Sequence, residues 1–284
     1  MKIIDAHIHF TAGEGFSATA EEAGHENSAE HLAAEFKRLN IVMAVAMGSG
    51  GGNTGCSEPM IPNLSGRDTE LPPFIAWCAG VNSAELTKDN LTATLEKFEN
   101  CLRRGNCVGI KLYPGYNFFY VSDPLYYPFY ELAAAYDVPV VIHTGDNANS
   151  HGKLKYSHPL TVDDVASDFP GTRFVMAHYG NPWIVDATEV AVKNPNVFID
   201  ISGLAVGRFE PEWFCSRYSS YLEYIKMWLT YLSDYKKIMY GSDWPLVNLE
   251  SYLSVIKRLI PEDEYENVFF NNALRVFPKI SRLL

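Results

Sequence analysis

Eight apolar segments recur along this chain of 284 residues, and stretches with helical character separate them. Most of the segments are continuous apolar runs rather than strict alternations, as expected for strands that are covered on both faces of a sheet. Strands of that kind occur mainly in parallel sheets whose crossover connections are helices. The predicted strands span residues 2–10, 41–48, 74–81, 107–114, 138–145, 173–180, 197–204 and 237–245.

Helices are predicted in the intervals between these strands. They span residues 28–40, 87–105, 124–136, 163–169, 182–193, 211–233 and 249–259, and a terminal helix pair covers 262–277. Eight strand–helix units in a chain of this length favour one closed (β/α)8 TIM barrel, a single α/β domain over residues 1–284. An open doubly wound sheet is the alternative, although no Gly-x-Gly-x-x-Gly motif follows the first strand, which weakens a dinucleotide-binding form.

The composition limits the class of partner. Hydrophobic residues make up 47% of the chain, enough for a substantial core, and no apolar stretch reaches transmembrane length. The net charge of -11 argues against nucleic acid or an anionic membrane surface as the main partner and leaves a small-molecule substrate. The N-terminus has no signal-peptide layout and the five cysteines form no Cys-x-x-Cys pair, so we expect reduced thiols in a cytoplasmic protein.

Two histidines, His7 and His9, stand two positions apart in the first predicted strand. Side chains at i and i+2 on a strand point to the same face, so both imidazoles can reach one metal ion. Asp5 shares this parity. A lone buried histidine is more often structural than a ligand, and the paired arrangement shifts the balance towards a metal site.

Three further polar residues, His143, His178 and Asp243, close later apolar runs. In a barrel the carboxyl ends of all strands converge on one face, where active sites lie. Histidine and aspartate at the ends of several separate strands therefore predict a metal site on this rim. Imidazole and carboxylate ligands favour zinc, with Fe2+ or Mn2+ as alternatives.

Five short motifs contain these residues, in order along the chain: Asp5-Ala-His7-Ile-His9, Gly109-Ile-Lys111-Leu, Ile142-His143-Thr-Gly145, Ala177-His178-Tyr-Gly180 and Gly241-Ser-Asp243-Trp-Pro245. The ordered set resembles the amidohydrolase superfamily. It is most similar to the amidohydrolase-related (amidohydrolase 2) branch, which contains metal-dependent hydrolases and aminocarboxymuconate-semialdehyde-type decarboxylases. The resemblance extends to the terminal Asn271-Asn-Ala-Leu-Arg-Val-Phe277 and implies a (β/α)8 barrel.

The resemblance implies a role for each of these polar residues. His7, His9 and His143 would be metal ligands. Asp243 would bind the metal or its water and shuttle protons, and His178 would polarise the substrate or orient the water. A bound divalent metal and an adjacent carboxylate together suit the activation of water at neutral pH.

Lys111 raises the question of a second metal. In binuclear members of the superfamily a strand-four lysine is carboxylated and bridges two metals, and Lys111 lies near the end of the fourth predicted strand. The related branch usually works with one metal, and its lysine is then a substrate-binding or structural group. We therefore expect one divalent metal per chain, with a second metal on a carboxylated Lys111 as the less favoured alternative.

Other residues near the ends of the predicted strands, or in the loops after them, are candidates for the substrate pocket. They are Lys111, Tyr113, Tyr116, Asn147, Arg208 and Trp244. Arg208 and Lys111 together would suit a substrate carboxylate, while ordinary loop packing is the alternative for each residue. Asp5 is expected to orient a neighbouring residue through a hydrogen bond.

The sequence leaves two reactions open. The favoured one is metal-dependent hydrolysis of a small amide, ester or lactone, mainly because hydrolases form the broader class. The alternative is non-oxidative decarboxylation of a small unsaturated or aromatic acid, which needs a carboxylate clamp that Arg208 could supply. A non-catalytic binding barrel is least favoured, because all five expected site positions are filled.

Two further segments allow two interpretations each. The glycine-rich stretch 48–55 follows the second strand and suits a lid or connector, or a cradle for an anion. The aromatic tract 213–224 suits the surface of a homodimer, or packing of a helix on the barrel.

Overall fold

Eight β-strands form one parallel sheet in the computed structural model of the protein, which describes residues 1–49, 58–64 and 71–284. The sheet follows the order of the chain, so each strand pairs with the next. The strands are β1 (Ile3–Ile8), β2 (Ile41–Met47), β3 (Ile75–Gly80), β4 (Cys107–Leu112), β5 (Val140–Ile142), β6 (Phe174–Met176), β7 (Val197–Asp200) and β8 (Ile238–Met239).

Backbone hydrogen bonds join the region of β8 to β1. The amide of Ala6 donates to the carbonyl of Tyr240 at 2.9 Å, and the amide of Asp243 donates to the carbonyl of His7 at 2.8 Å. The last strand therefore meets the first, which an open sheet would not allow. The structure confirms the predicted (β/α)8 barrel and excludes the doubly wound alternative.

Helices alternate with the strands along the chain. They are α1 (Glu14–Glu22), α2 (Ala29–Leu39), α3 (Leu91–Leu102), α4 (Pro114–Asn117), α5 (Tyr127–Ala135), α6 (Leu154–Ser157), α7 (Leu160–Asp168), α8 (Ile184–Lys193), α9 (Pro211–Arg217), α10 (Ser219–Leu232), α11 (Leu249–Leu259) and α12 (Asn272–Val276). In the described part of the chain, none of them combines the length and the apolar character needed to cross a membrane.

Some predicted helices differ from the observed ones. The predicted helix 211–233 is two helices, α9 and α10, which meet at Tyr218. Helix α1 is absent from the predicted set, because Ala20 is its one buried residue and Gly13 precedes it, so its sequence carries little amphipathic pattern. The predicted terminal pair is a 3-10 turn at Glu262–Glu264, a π-helical turn at Asn267–Asn271 and the short α12.

All eight predicted strands extend past the observed ones at their carboxyl ends. Strands β5, β6 and β8 end before His143, His178 and Asp243. The backbone φ angles of His178 and Asp243 are 61° and 70°, in the left-handed region that a strand does not enter. His178 and Asp243 therefore belong to tight turns that follow the strands.

Buried apolar side chains form two clusters. The larger one joins the strands to the helices and includes Phe36, Trp77 and Phe129. The smaller one joins strand residues such as Met43 to Phe277 near the carboxyl terminus. Three of the four described cysteines, at positions 78, 101 and 107, are buried free thiols, which agrees with their prediction as reduced residues.

Two predicted segments keep their open interpretation. From residue 50 onward the glycine-rich stretch 48–55 lies outside the described residues, so its role as a lid or an anion cradle stays a prediction. The tract 213–224 lies on α9 and α10, where Phe214 is buried and Trp213 is 56% exposed. Helix packing accounts for the buried part, and a homodimer surface stays a prediction.

Candidate metal centre and active site

The structure brings together the five polar residues that the sequence places at strand ends. The ring centroids of His7 and His178 are 4.8 Å apart, those of His143 and His178 are 4.9 Å apart, and those of His7 and His9 are 5.5 Å apart. The carboxylate of Asp243 has Oδ1 at 3.3 Å from His9 Nε2 and at 3.7 Å from His7 Nε2. The predicted convergence at one end of the barrel is therefore present.

Tight turns aim these side chains at one another. The left-handed backbone at His178 and Asp243 turns each residue inward just after its strand, and histidine and aspartate enter that region more often than most residues. Gly203, itself at φ 64°, lies against both side chains. A Cβ atom there would lie 2.9 Å from Asp243 Oδ2 and 3.2 Å from His178 Nδ1, so the site needs glycine at this position.

Three residues offer ligand atoms in a compact group. One ligand atom each from His7, His178 and Asp243 lies within 4.8 Å of the other two. His7 Nε2 and Asp243 Oδ1 are buried and have no hydrogen-bond partner among the described residues. Leaving such atoms unpaired is costly, and imidazole nitrogens with a carboxylate oxygen are common zinc ligands. This part of the centre therefore fits a divalent metal.

The partners of His143 and His178 show where their ring protons lie. His143 Nε2 is 2.8 Å from the carbonyl oxygen of Asp146, which only accepts, so this nitrogen carries a proton. The hydroxyl of Ser202 donates to Asp200, so it accepts from His178 Nδ1 at 2.9 Å. The remaining nitrogens, His143 Nδ1 and His178 Nε2, then face each other at 3.2 Å with lone pairs. A cation shared by the two nitrogens would relieve that repulsion.

Burial disfavours the protonated form of three of the imidazoles. It lowers the pKa of His7 to about 4, and it also lowers the pKa of His143 and of His178. Burial by itself would raise the pKa of Asp243, but the surrounding imidazoles, first that of His178 and then that of His9, hold it below its usual range. Neutral imidazoles beside an ionised carboxylate are the states that metal binding requires.

A cavity of about 990 Å³ opens onto this centre. His9, His143, His178 and Asp243 form part of its wall. Helix α1 contributes a further part, and the ring centroid of Phe16 lies 5.3 Å from that of His9. Other polar side chains on the wall are Thr19, Glu22, Ser49, Asn82, Tyr113, Tyr116, Asn117, Asp146, Asn149 and Asn181. Its size suits a small organic molecule.

A protein-family model described as "Amidohydrolase" matches residues 4–279. The chain belongs to the amidohydrolase family. The match covers the barrel from β1 to the carboxyl-terminal turns, and it confirms the resemblance that the five motifs carry.

Proteins similar to this amidohydrolase have several activities. A 2-keto-4-carboxy-3-hexenedioate hydratase of Sphingobium sp. (strain NBRC 103272 / SYK-6) is 29% identical over 135 residues, which span 42% of this chain and 39% of the hydratase. The chain thus matches less than half the length of that relative.

Two solved structures share the fold of this amidohydrolase. An amidohydrolase of Burkholderia multivorans with bound zinc has a TM-score of 0.67 at 16% identity and covers 98% of this chain and 99% of its own. A 2,6-dihydroxybenzoate decarboxylase in complex with 2,6-dihydroxybenzoate has a TM-score of 0.64 at 14% identity and the same coverage. At these identities the likeness shows the barrel fold alone.

Asp5 makes the kind of contact that the sequence predicts for it. Its Oδ1 accepts from the backbone amide of Ser242 at 2.8 Å and from that of His7 at 3.3 Å. It thus ties the turn before Asp243 to β1. Burial raises the pKa of Asp5 to about 7.

Asp200, a residue outside the five motifs, lies in contact with two histidines of the amidohydrolase centre. It ends β7, is fully buried, and has Oδ2 at 2.9 Å from His7 Nδ1. Its Oδ1 accepts from the backbone amide of His178 at 3.1 Å. The sequence carries a signal for Asp200, because an aspartate closes the apolar run of β7 just as Asp243 follows that of β8. The predicted strand, however, runs on to residue 204, so Asp200 is not recognised as a residue at a strand end.

The structure places some of the predicted substrate contacts on the cavity wall and others away from it. Tyr113 and Tyr116 line the cavity. Lys111 is fully buried next to Tyr113, with Nζ 5.1 Å from the ring centroid and no hydrogen-bond partner among the described residues. Burial lowers the pKa of Lys111 to about 8. Its carboxylation, and the expected count of one metal, stay predictions.

Three predicted pocket residues are not among the described residues that line this cavity, and their role as substrate contacts stays a prediction. Arg208 is exposed and its side chain packs against Gly24. Trp244 is fully buried, and its ring is stacked near that of His25 at a centroid distance of 5.9 Å. The side chain of Asn147 packs against a glycine at position 152 of its own loop.

Proposed function

We propose that this amidohydrolase is a metal-dependent hydrolase that adds water to the carbonyl carbon of a small amide, ester or lactone. The observation that carries the proposal is the compact group of ligand atoms on His7, His178 and Asp243, beside a cavity of about 990 Å³. Two of these atoms, His7 Nε2 and Asp243 Oδ1, have no hydrogen-bond partner among the described residues. A bound divalent metal supplies water whose pKa is lowered from about 15.7 to about 7. Zinc is the favoured metal, with Fe2+ or Mn2+ as alternatives.

The proposed holders of the metal are His7, His9, His143 and Asp243. The short distance between His143 Nδ1 and His178 Nε2, 3.2 Å, supports a ligand role for His143 and brings His178 within reach of the same ion. His9 presents Nε2 to Asp243 Oδ1. The residues at hand thus offer more ligand atoms than one tetrahedral ion needs, which leaves some of them free to bind water or substrate.

Asp243 is proposed as the proton carrier. Its carboxylate lies on the cavity wall, is ionised, and has Oδ1 without a hydrogen-bond partner among the described residues. It can take a proton from the attacking water and return it to the leaving group. His178 bears its ring proton on Nδ1, so its Nε2 accepts hydrogen bonds; orienting the water suits this state better than polarising a substrate oxygen.

Decarboxylation of a small unsaturated or aromatic acid is the second candidate. The fold shared with the 2,6-dihydroxybenzoate decarboxylase favours it. So does the buried ammonium of Lys111, which lacks a partner among the described residues. The exposed position of Arg208 against Gly24 argues against the carboxylate clamp that this reaction needs.

A substrate panel tests the proposal. We expect hydrolysis of at least one class among uncharged amides, esters and lactones, followed by proton release, and no carbon dioxide from aromatic or unsaturated acids. Arg208→Ala should leave kcat/KM for the hydrolysed substrate unchanged within about 2-fold, because surface changes away from a site have small effects. The opposite result would favour decarboxylation over hydrolysis: the carbonyl compounds stay inert, and an aromatic or unsaturated acid releases carbon dioxide. Arg208→Ala should then lower the rate of that release about 10-fold or more, as expected for a lost charged contact.

A further inference from the structure

The carboxylate of Asp200 serves two histidines through two different oxygens. Oδ2 lies 2.9 Å from His7 Nδ1. Oδ1 accepts from the hydroxyl of Ser202 at 2.5 Å and from the backbone amide of His178 at 3.1 Å. Both Asp200 and Ser202 are fully buried. One acidic side chain therefore connects a histidine in β1 with a histidine that follows β6.

The Asp200 contact determines which nitrogen of His7 is free. An ionised carboxylate only accepts, so His7 Nδ1 carries the proton. The other oxygen of Asp200 accepts from the hydroxyl of Ser202 and from the backbone amides of His178 and Ser202, as an ionised carboxylate can. A neutral imidazole with Nδ1–H has its lone pair on Nε2. That nitrogen of His7 is buried and has no hydrogen-bond partner among the described residues.

Ser202 acts in the same way on His178. Its single hydroxyl proton goes to Asp200, so its oxygen accepts from His178 Nδ1 at 2.9 Å. The backbone carbonyl of Ser202 lies 3.3 Å from the same nitrogen and also only accepts. The lone pair of His178 is therefore on Nε2, which faces His143.

We propose that Asp200 and Ser202 are the positioning residues of the metal centre, Asp200 by directing His7 Nε2 and Ser202 by directing His178 Nε2 towards one cation. The inference rests on the proposed function only in its statement that the cation is the reaction's metal. Partners of this kind fix ring orientation, and their mutation typically costs about 10- to 100-fold in metal affinity or activity. The two residues have separable effects, because no hydrogen bond joins Ser202 to His7 in the described part of the chain.

Two variants separate the roles. In Asp200→Asn one of the two carboxylate oxygens becomes an amide NH2, which cannot accept a hydrogen bond. Either His7, or Ser202 together with His178, then loses its acceptor. We expect the dissociation constant for zinc, measured by competition with a chelating dye, to rise about 10- to 100-fold. In Ser202→Ala only His178 loses an acceptor, so we expect a rise below about 10-fold. Ser202→Thr keeps the hydroxyl and should restore the wild-type value.

A second readout does not depend on metal or on turnover. Two-bond proton–nitrogen correlation spectra of metal-free protein with 15N-labelled histidine report which ring nitrogen bears the proton. Wild-type protein should show the Nδ1–H form for His7 and His178, and Asp200→Asn should lose it at His7. Ser202→Ala should lower its population at His178 alone, because only the longer contact with the backbone carbonyl of residue 202 remains there. Thr172→Val, which removes a buried hydroxyl that donates to Tyr130, is the matched control and should change neither spectrum nor affinity.

The outcomes distinguish this inference from the proposed function. Unchanged tautomers and unchanged zinc affinity in Asp200→Asn would overturn the positioning role and make Asp200 a structural residue only. Wild-type protein that shows the expected tautomers but binds no zinc would support the geometry of the two residues and overturn the metal-dependent function. If Asp200→Asn does not fold, the Ser202→Ala and Ser202→Thr pair decides the inference through His178.

Discussion

Asparagine in place of Asp243 is expected to lower kcat by on the order of 10²- to 10⁴-fold, the range that general acid–base groups contribute. The amide of asparagine cannot take up a proton from water, whereas the Asp243 carboxylate faces the cavity in its ionised form. The fold should survive, because asparagine has the same shape and tolerates the left-handed backbone at φ 70°. Steady-state kinetics on a substrate from the panel, together with thermal unfolding, measure both effects.

Asp164→Asn is the matched control for this change. Asp164 is an exposed carboxylate on α7, away from the cavity wall, so kcat and thermal stability should stay at wild-type values. An Asp243→Asn protein that keeps full activity would show that another group carries the proton. A variant that unfolds would show that the carboxylate is needed for the fold instead.

Glutamine in place of His7 is expected to weaken metal binding by more than about 100-fold. Mutation of groups that merely hydrogen-bond to ligands already costs about 10- to 100-fold, and this change removes a ligand atom itself. Glutamine is the replacement of choice because its amide can still donate to Asp200, so the buried carboxylate keeps a partner. Chelator competition on the purified variant gives the affinity, and activity should fall in parallel at limiting metal.

The control for His7→Gln is His151→Gln, the same substitution at an exposed histidine in the loop after β5. Its metal affinity and its activity should equal those of the wild type. Equal affinities in the two variants would remove His7 from the ligand set and leave His9, His143 and Asp243 as the remaining donors.

Sequence patterning predicts the barrel well, because strands buried on both faces leave long apolar runs such as β2 and β4. Sequence patterning also locates the metal centre, because the carboxyl ends of all strands of a barrel meet at one rim. His143 and Asp243 can therefore be assigned to one site from their positions at strand ends alone. The predicted strands end too far along the chain, because the apolar pattern does not mark a turn residue with a left-handed backbone such as His178.

Side-chain direction in the loops is what the sequence leaves open. Arg208 follows β7 as a pocket residue would, but Gly203 and Gly207 both have positive φ angles, and the chain between them turns so that Arg208 packs on the exposed side against Gly24. Asp200 has the required signal, an aspartate at a strand end. It escapes prediction because the predicted strand includes four residues that belong to the following turn.

The central claim is that the histidines and Asp243 hold one divalent metal that the reaction requires. Elemental analysis of protein purified without chelator, with activity measured before chelation, after it and after add-back, tests this claim most directly. We expect one metal per chain, zinc in preference to iron or manganese, and activity that is lost and then restored. Two ions per chain would contradict the single-metal site and point to a carboxylated Lys111. No metal, and no binding on add-back, would contradict the metal-dependent function as a whole.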